Sequence, residues 1–326
     1  MRQASSHHPH TGASGMSRAE FLRLAMAGAI GLGIGASARD GNASAPQGIS
    51  TRLHTRVIPS SGERLPVIGV GTWQTFDVGA SPAERQPLRA TLEALFAAGG
   101  SVVDSSPMYG RSEAVAGDLL AEMGARDKAF IATKVWTRGR EEGIRQMRRS
   151  MDLLRTERID LMQIHNLLDW RTHLATLRAW KEEGRIRYLG ITHYTASAFA
   201  DMEAVMRAEQ LDFVQLNYSL DDREAEARLL PLAAERGIAV IVNQPFGGGG
   251  LLRSLVRTPL PPWAGEIGCD SWAQVLLKYV LGHPAVTVAI PGTAQPRHMI
   301  DNCRAGIGVL PDAAMRRTMA AWWAQR

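Results

Sequence analysis

Short apolar runs recur along most of the chain, and each is followed by a longer segment in which apolar and polar residues are mixed. The runs are spaced by roughly 25–34 residues, apart from a longer last step, which is the repeat length of β/α units. Eight runs are predicted strands: Val67–Val70, Ser101–Asp104, Phe130–Thr133, Ile159–Ile164, Ile186–Ile191, Phe213–Leu216, Ile238–Val242 and Val286–Ile290. Ahead of them, Val57-Ile58, the turn Ser60-Ser61-Gly62 and Leu65-Pro66-Val67 predict a β-hairpin.

Apolar residues between the runs follow the 3.6-residue period of an α-helix. The pattern predicts helices over Glu84–Ala98, Thr172–Glu183 and Ser271–Leu281, and Gly99-Gly100 ends the first of them. Eight alternating strands and helices fit either a closed barrel or an open doubly wound sheet. Because no glycine-rich nucleotide loop follows the first strand, we predict an α/β fold over residues 51–326, a single (β/α)8 TIM barrel with an N-terminal β-hairpin.

Residues 1–50 have a different pattern and are predicted to be a signal-like segment and linker. A charged stretch, Ser17–Arg23, precedes an apolar run, Leu24–Gly35, and then Ala36-Ser37-Ala38, which fits a cleavage site. The run is too short and glycine-rich for a membrane span of about 20 apolar residues. The segment resembles a bacterial twin-arginine export signal in which Ala19 replaces the second arginine. We therefore expect a periplasmic or exported protein, cytoplasmic if the imperfect signal is not used.

Composition narrows the functional classes. The chain has 326 residues, of which 45% are hydrophobic and 21% charged, as in an ordinary folded protein. Its net charge of +5 is not gathered into a basic stripe or a recognition motif, so we expect no nucleic-acid partner and membrane contact only through an uncleaved N-terminal segment. Two cysteines without a CxxC motif argue against a structural zinc site, and we predict no metal.

Four ionisable residues are predicted to share the carboxyl-end rim of the barrel, where reactive side chains of this fold collect. Asp104, Lys134 and His165 end the second, third and fourth strands, and Tyr109 lies in the loop after the second. A phenol with a pKa near 10 is a weak acid at neutral pH. A lysine cation beside it favours the phenolate, while an aspartate keeps the lysine charged and a histidine orients a carbonyl oxygen.

These residues lie in motifs that resemble the aldo-keto reductase superfamily over about residues 55–325. The specific stretch is Val103-Asp104-Ser105-Ser106-Pro107-Met108-Tyr109-Gly110, followed by Ser112-Glu113, and a second match runs from Glu183 to Gly190. The resemblance implies that Asp104, Tyr109, Lys134 and His165 form the catalytic tetrad. It also implies that NADPH or NADH reduces an aldehyde or ketone, a small-molecule carbonyl substrate, with Tyr109 as proton donor.

The same resemblance implies a set of cofactor-binding positions. They are Gly71, Thr72, Thr192, His193, Gln215, Asn243, Gln244, Pro245, Phe246, Gly247, Gly292, Thr293, His298, Asp301 and Asn302. Trp73 and Trp136 match pocket-wall positions, with plain core packing as the alternative. The chain departs from the family where Asn243 replaces a stacking aromatic residue. Gly292 and His298 replace cations at the 2′-phosphate, so we expect less than about tenfold discrimination between NADPH and NADH.

Three other functions stay open on the sequence alone. Lys134 is a possible Schiff-base nucleophile in a lyase. The altered cofactor positions fit a nucleotide-binding sensor or subunit with little turnover. Asp104 and His165 are possible ligands of a metal hydrolase, although the further ligands such a site needs are missing.

The signal-like segment gives the first testable prediction, a mature chain that begins near Arg39 and works outside the cytoplasm. Removing residues 1–38 lowers the net charge from +5 to +3, because three cations and one carboxylate leave with Arg2, Arg18, Arg23 and Glu20. Cell fractionation followed by N-terminal sequencing of the recovered protein checks this. Intact soluble protein found only in the cytoplasm would contradict it.

Overall fold

The computed structural model describes residues 52–326, which form alternating strands and helices. The strands are β1 Thr55–Val57, β2 Arg64–Pro66, β3 Val70–Gly71, β4 Val102–Asp104, β5 Phe130–Val135, β6 Ile159–His165, β7 Ile186–Thr192, β8 Phe213–Asn217, β9 Ala239–Asn243 and β10 Val286–Ala289. The helices are α1 Pro82–Ala97, α2 Ser112–Glu122, α3 Arg140–Leu153, α4 Trp170–Glu182, α5 Phe199–Ala208, α6 Leu229–Arg236, α7 Gly250–Leu255, α8 Trp263–Glu266, α9 Trp272–Leu281, α10 Pro296–Ala305 and α11 Ala313–Ala324. Four 3₁₀ turns join them at Arg126–Lys128, Ala196–Ala198, Glu224–Glu226 and Gly247–Gly249.

Strands β3 to β10 pair in parallel and in chain order, and the sheet closes on itself. The closure lies between the two ends of the series, where parallel bridges join Ile68 to Ala289 and Gly71 to Gly292. Backbone hydrogen bonds from Ala289 N to Val67 O and from Gly69 N to Ala289 O, each 2.9 Å long, complete this junction. The predicted (β/α)8 TIM barrel is therefore confirmed, and an open doubly wound sheet is excluded.

Side chains that point inward fill the barrel, and the hairpin of β1 and β2 closes its amino end. Phe130, Tyr188 and Phe213 pack together in the interior, with ring centroids 5.5–6.0 Å apart. Leu65 of the hairpin belongs to the same buried cluster. The Tyr188 hydroxyl donates to Glu63 at 2.5 Å, so the interior is tied to the loop that connects the hairpin strands. Because this end is plugged, the opposite rim is the open one.

The predicted strands agree with the observed ones except at the start of the barrel. Val67–Val70 was expected to be the first strand, whereas regular pairing covers Val70–Gly71, and Ile68 makes only an isolated bridge. Helix α1 begins where its sequence specifies a start. Ser81 caps it by accepting from Glu84 N and donating to Glu84 Oε2, with Pro82 in the first turn.

Two findings bear on the predicted signal-like segment and on membrane contact. The signal-like segment, residues 1–50, lies outside the described residues. Within residues 52–326, no helix has both the length and the apolar character needed to cross a bilayer.

Close helix packing at Gly117 gives a prediction about stability. A Cβ atom on Gly117 of α2 would lie 2.1 Å from the Leu153 carbonyl oxygen and 2.7 Å from Leu154 Cα, both backbone atoms. Backbone cannot swing aside as a side chain can, so Gly117→Ala is expected to lower the free energy of unfolding by about 1–3 kcal/mol. Gly265→Ala is the matched control, since a Cβ there meets nothing within 4 Å. Urea denaturation followed by circular dichroism measures both, and equal stabilities for the two variants would contradict the prediction.

Candidate active site

The four predicted catalytic residues meet at the open rim of the barrel. Asp104 and His165 are the last residues of β4 and β6, and Lys134 is the next-to-last residue of β5. Parallel registers align Asp104 with Ala132 and Lys134 with Gln163, so each catalytic residue lies two positions beyond the partner of the preceding one and on the same face of the sheet. The Tyr109 ring lies edge-on to the His165 ring, with centroids 5.9 Å apart. The structure thus brings all four together.

Lys134 and Asp104 form a fully buried ion pair at the centre of this group. Lys134 Nζ donates to Asp104 Oδ2 at 2.8 Å and to the Ser105 carbonyl oxygen at 2.6 Å. Burial alone would lower the pKa of the Lys134 ammonium, but the Asp104 carboxylate and Tyr109 outweigh burial and raise it. The lysine is therefore a cation at neutral pH, as the sequence predicts.

The other oxygen of Asp104 is held by two glutamine side chains. Gln215 Nε2 donates to Asp104 Oδ1 at 2.9 Å, and Gln163 Nε2 approaches the same oxygen at 3.3 Å. Gln215 Oε1 accepts from Thr192 Oγ1 at 2.9 Å. Thr192 and Gln215, both predicted cofactor residues, thus extend the hydrogen-bond network of the tetrad across β7 and β8. Every hydrogen bond that they make in the structure is to a protein group.

Tyr109 lies close to the lysine cation, with Lys134 Nζ 5.0 Å from the centroid of its ring. Burial raises the pKa of the Tyr109 phenol above its usual value, and the Lys134 cation offsets only part of that rise. The predicted effect of the lysine, which favours the phenolate, is present, but burial is the larger effect. Tyr109 therefore carries its proton at neutral pH.

His165 is neutral over the same pH range. Burial, reinforced by the Lys134 cation, lowers the pKa of its imidazole to about 3. Ser106 Oγ lies 3.0 Å from His165 Nδ1 and also accepts weakly from Met108 N at 3.4 Å. The Ser106 hydroxyl can accept from Met108 N and donate at the same time, and we assign its proton to the bond with Nδ1. The single imidazole proton then lies on Nε2, which makes no hydrogen bond within residues 52–326.

Two tryptophans stand at the rim of the site. Trp73 follows β3 and is 50% exposed, while Trp136 follows β5 and is 40% exposed, with its ring 6.3 Å from that of His165. Core packing, the alternative interpretation of these residues, does not fit side chains of this exposure. Their position at the open rim agrees with a role in the pocket wall.

On the predicted cofactor side of the rim, His193 offers a free N–H donor and Asn243 a free acceptor, as judged within residues 52–326. His193 Nδ1 accepts from Tyr194 N at 3.0 Å, and burial lowers the pKa of the ring, so its proton lies on Nε2. Asn243 Nδ2 donates to the His193 carbonyl oxygen at 3.3 Å, while Asn243 Oδ1 is buried without a partner. A donor beside an unsatisfied acceptor matches the carboxamide of a nicotinamide, which offers one of each.

The loop after β9 fits a phosphate group. Gln244 adopts a positive φ of 49°, and Pro245 and Phe246 lead into the 3₁₀ turn Gly247–Gly249, whose three φ values are 56°, 61° and 86°. Successive glycines in such conformations allow backbone N–H groups to surround an anion. A Cβ on Gly249 would lie 2.8 Å from Arg253 Nη1, so this guanidinium, which has no ion pair in the described chain, stands against the loop. The residues present therefore fit a dinucleotide.

The remaining predicted cofactor residues lie near β3 and α10. Thr72 Oγ1 donates to Ser105 Oγ at 2.9 Å, and Gly71 is bridged to Gly292, so these positions close the barrel beside the tetrad. Both carboxylate oxygens of Asp301 accept hydrogen bonds from the start of α9, at Ser271 and Gln274. Asn302 and Thr293 are buried, and His298 is exposed.

The geometry argues against two of the alternative chemistries. A Schiff-base lysine must be an accessible free amine. Lys134 is instead fully buried, is charged and donates to two oxygens. Within residues 52–326 there is also no group of three histidine, cysteine or carboxylate side chains placed to hold a metal.

Comparison with known proteins gives the family. The model of the aldo/keto reductase family matches residues 67–322. The methylglyoxal reductase YeaE of Escherichia coli K12 is 28% identical over 258 residues, which are 77% of this chain and 89% of that protein. An NADH-specific methylglyoxal reductase of the same organism is 28% identical over 234 residues, covering 60% of this chain and 68% of that protein.

Solved structures agree on the fold. An aldo-keto reductase from Klebsiella pneumoniae in complex with NADPH superposes with a TM-score of 0.71 at 24% identity, over 84% of this chain and 96% of that one. Since the family model spans most of the sequence, the chain belongs to the aldo/keto reductase family. Membership confirms the predicted enzyme class, an oxidoreductase that uses NADPH or NADH.

The structure adds three residues to which the sequence analysis gives no role: Ser106, Gln163 and Arg253. Gln163 precedes His165 by two positions on one strand, so both side chains point to the same face, a signal that the sequence does contain. Arg253 lies four residues after Gly249, one helical turn away. Nothing in the sequence shows that the Ser106 hydroxyl reaches His165, because that contact depends on the fold of the loop.

The Ser106–His165 contact predicts a defect that is specific to the tautomer. Ser106→Ala removes the donor to Nδ1, so the imidazole proton is expected to spread between both nitrogens and kcat to fall roughly ten- to a hundredfold, part of the cost of losing an oxyanion donor. Nitrogen NMR of labelled histidine reads the tautomer directly, and Ser106→Thr, which keeps a hydroxyl, should restore it. An unchanged tautomer in the alanine variant would show that Ser106 does not set it.

Proposed function

We propose that this enzyme reduces an aldehyde or ketone to an alcohol, with Tyr109 as the proton donor. The observation that carries the proposal is the position of the protonated Tyr109 ring, 5.0 Å from the ammonium of Lys134 and 5.9 Å from the neutral ring of His165. A carbonyl oxygen placed beside Tyr109 and His165 meets a phenol proton and an imidazole N–H, and the buried Lys134 cation lies behind the phenol. All three stabilise the negative charge that develops on the oxygen during reduction.

Each residue of the site then has a defined part in the reaction. His165 Nε2–H orients the carbonyl oxygen by donating a hydrogen bond to it. As hydride is delivered to the carbonyl carbon, Tyr109 transfers its phenol proton to that oxygen, so the carbonyl becomes an alcohol and the tyrosine becomes a phenolate. Lys134 stabilises the phenolate until a proton from solvent converts it back to the phenol. Asp104 keeps the lysine charged.

The cofactor binds, in this proposal, on the side of the rim formed by β7, β8 and β9. His193 and Asn243 hold the carboxamide, while the glycines 247–249 with Arg253 hold the phosphates. When bound, the reduced nicotinamide supplies the hydride that adds to the carbonyl carbon. Gly292 and His298 bring no permanent cation to a 2′-phosphate, which supports weak discrimination between NADPH and NADH.

The named activity of two relatives suggests where a substrate screen begins. Because two Escherichia coli relatives are methylglyoxal reductases, methylglyoxal is the first carbonyl compound to assay, followed by larger aldehydes and ketones. Export to the periplasm, inferred from the signal-like segment, belongs to the same proposal and places the reaction outside the cytoplasm.

The proton-donor assignment predicts that Tyr109→Phe loses reduction but keeps the cofactor. The phenyl ring preserves packing against His165 while the proton is absent, so kcat should fall by about 10²–10⁴-fold. Cofactor oxidation at 340 nm measures turnover, and quenching of protein fluorescence measures cofactor affinity, which should change little.

Tyr188→Phe is the matched control for that experiment. It removes a tyrosine hydroxyl at the closed end of the barrel, where the partners are Ser61 and Glu63. Its turnover should equal that of the unmodified enzyme. Wild-type turnover by Tyr109→Phe on a good substrate would show that another group donates the proton, whereas a protein that binds cofactor and reduces no carbonyl compound would fit the nucleotide-binding sensor instead.

A further inference from the structure

A cavity of about 450 Å³ opens at the rim beside the tetrad, between the loops that follow β5 and β6. Arg138 lines it from the first loop, and residues 166–171 line it from the second. It adjoins the catalytic residues through both loops, because Asn166 directly follows His165 and Arg138 follows the exposed Trp136 by two residues. Its lining includes neither Trp136 nor any of the four catalytic residues, so a substrate that has its carbonyl at Tyr109 reaches this space only by extending past Trp136.

The cavity presents two guanidinium groups without acceptors. Within residues 52–326, the guanidinium groups of Arg138 and Arg171 make no hydrogen bond and no ion pair, and the charge of Arg138 interacts with that of Asp169. Arg171 lies against the face of Trp170, 4.3 Å from the ring centroid, a contact that leaves the N–H edge of the guanidinium free.

A carboxylate also lines the cavity, but its oxygens are already used. Asp169 Oδ2 accepts from Gly139 N at 2.7 Å, and Asp169 Oδ1 accepts from Thr172 Oγ1 at 2.8 Å. The cavity wall thus carries two cations against one anion, and its free hydrogen-bonding groups include the unused N–H donors of both arginines and one buried acceptor, Asn166 Oδ1. Such a wall favours an oxyanion, because guanidinium groups bind carboxylates and phosphates with paired hydrogen bonds.

The cavity is distinct from the expected phosphate positions of the cofactor. The proposed cofactor residues follow β7 to β10 and β3, whereas the cavity lies between the ends of β5 and β6. In a closed ring of eight strands paired in chain order, β5 and β6 lie opposite β9 and β10. An anion bound by Arg138 and Arg171 is therefore on the substrate side of the rim.

The backbone of the second loop supports the same interpretation. Asn166, Leu167 and Asp169 all adopt left-handed conformations, with φ of 53°, 55° and 49°. Each costs about 1 kcal/mol or more for a residue with a side chain, and such conformations cluster at ligand sites. Here they turn the chain back on itself, so that Arg171 faces the same cavity as Arg138.

We propose that Arg138 and Arg171 form an anion subsite, and that the preferred substrate is an aldehyde or ketone with an apolar body ending in a carboxylate or phosphate. The carbonyl group meets Tyr109 and His165, the apolar body lies along Trp136, and the oxyanion pairs with the two guanidinium groups. The inference rests on the proposed carbonyl reduction, and it names the substrate class that this site selects.

The test compares substrates of nearly equal size that differ in charge. The values of kcat/KM are measured for 4-carboxybenzaldehyde, 4-formylphenyl phosphate and the uncharged methyl 4-formylbenzoate. The wild type should favour at least one of the two anions by about tenfold or more, as expected for hydrogen bonds to charged groups. The anionic aldehyde with the higher kcat/KM identifies the preferred group as carboxylate or phosphate. The preference for an anion should shrink in high salt if exposed charges cause it.

Variants then assign the preference to the two arginines. Arg138→Ala combined with Arg171→Ala should lose about tenfold on the preferred anion and less than about twofold on the ester. Arg148→Ala is the matched control, because Arg148 is an exposed arginine of α3 outside the cavity. Equal losses on charged and uncharged substrates, or a wild type without any preference, would overturn the proposal.

Binding of a non-reacting anion keeps the subsite testable apart from turnover. Calorimetry of benzoate and of benzamide, with NADP⁺ present, should show tighter binding of benzoate that disappears in the double variant. If the wild type reduces no carbonyl compound but binds benzoate more tightly than benzamide, and the double variant does not, the proposed function fails and the anion subsite stands. If benzoate and benzamide bind alike while aldehydes are reduced, the subsite fails and the proposed function stands.

Discussion

The buried ion pair of Lys134 and Asp104 is the interaction on which the rest of the site depends. Neither charge meets water, so each is tolerated only because the other lies 2.8 Å away. Removing one partner of such a pair typically costs about 3–5 kcal/mol, since the other charge is left uncompensated. Gln163 and Gln215 complete the coordination of the carboxylate from β6 and β8. Four strands thus fix one charge pair, and closure of the barrel fixes the four strands.

Two neighbouring buried bases have pKa values shifted in opposite directions, and the difference sets the chemistry. Burial lowers the pKa of the Lys134 ammonium, but the adjacent carboxylate outweighs burial and raises it. For His165, burial and the Lys134 ammonium act in the same direction, so the pKa of the imidazole falls to about 3. One cation and one neutral hydrogen-bond donor therefore coexist around the protonated Tyr109. With both groups charged, His165 would add a second desolvated cation. With both neutral, nothing would stabilise the phenolate left after proton transfer.

The sequence predicted the barrel and the tetrad because both depend on local patterns that repeat. Buried strands appear in the sequence as apolar runs. Because all strands of a parallel barrel end at the same rim, the residues that follow these runs lie there. The part that was not predictable depends on distances between strands. Gln215 lies 111 positions after Asp104, so no spacing shows that it donates to that carboxylate rather than to a cofactor. The rise in the pKa of Tyr109 was not predictable for a related reason, since burial of the phenol is a property of the whole rim.

The rim divides into two halves with different proposed roles. The departures from the family pattern lie in the half formed by the loops after β7 to β10. In the proposed function, the half formed by the loops after β7 to β10 recognises the cofactor through backbone and amide groups, and Asn243 offers a buried acceptor without a partner where the family pattern has an aromatic residue. The half formed by the loops after β3 to β6 carries the tetrad, the exposed Trp73 and Trp136, and the free guanidinium groups. Because rigid strands hold the four residues while loops hold the cavity, this fold can change its substrate without disturbing the buried charges that support the proposed proton transfer.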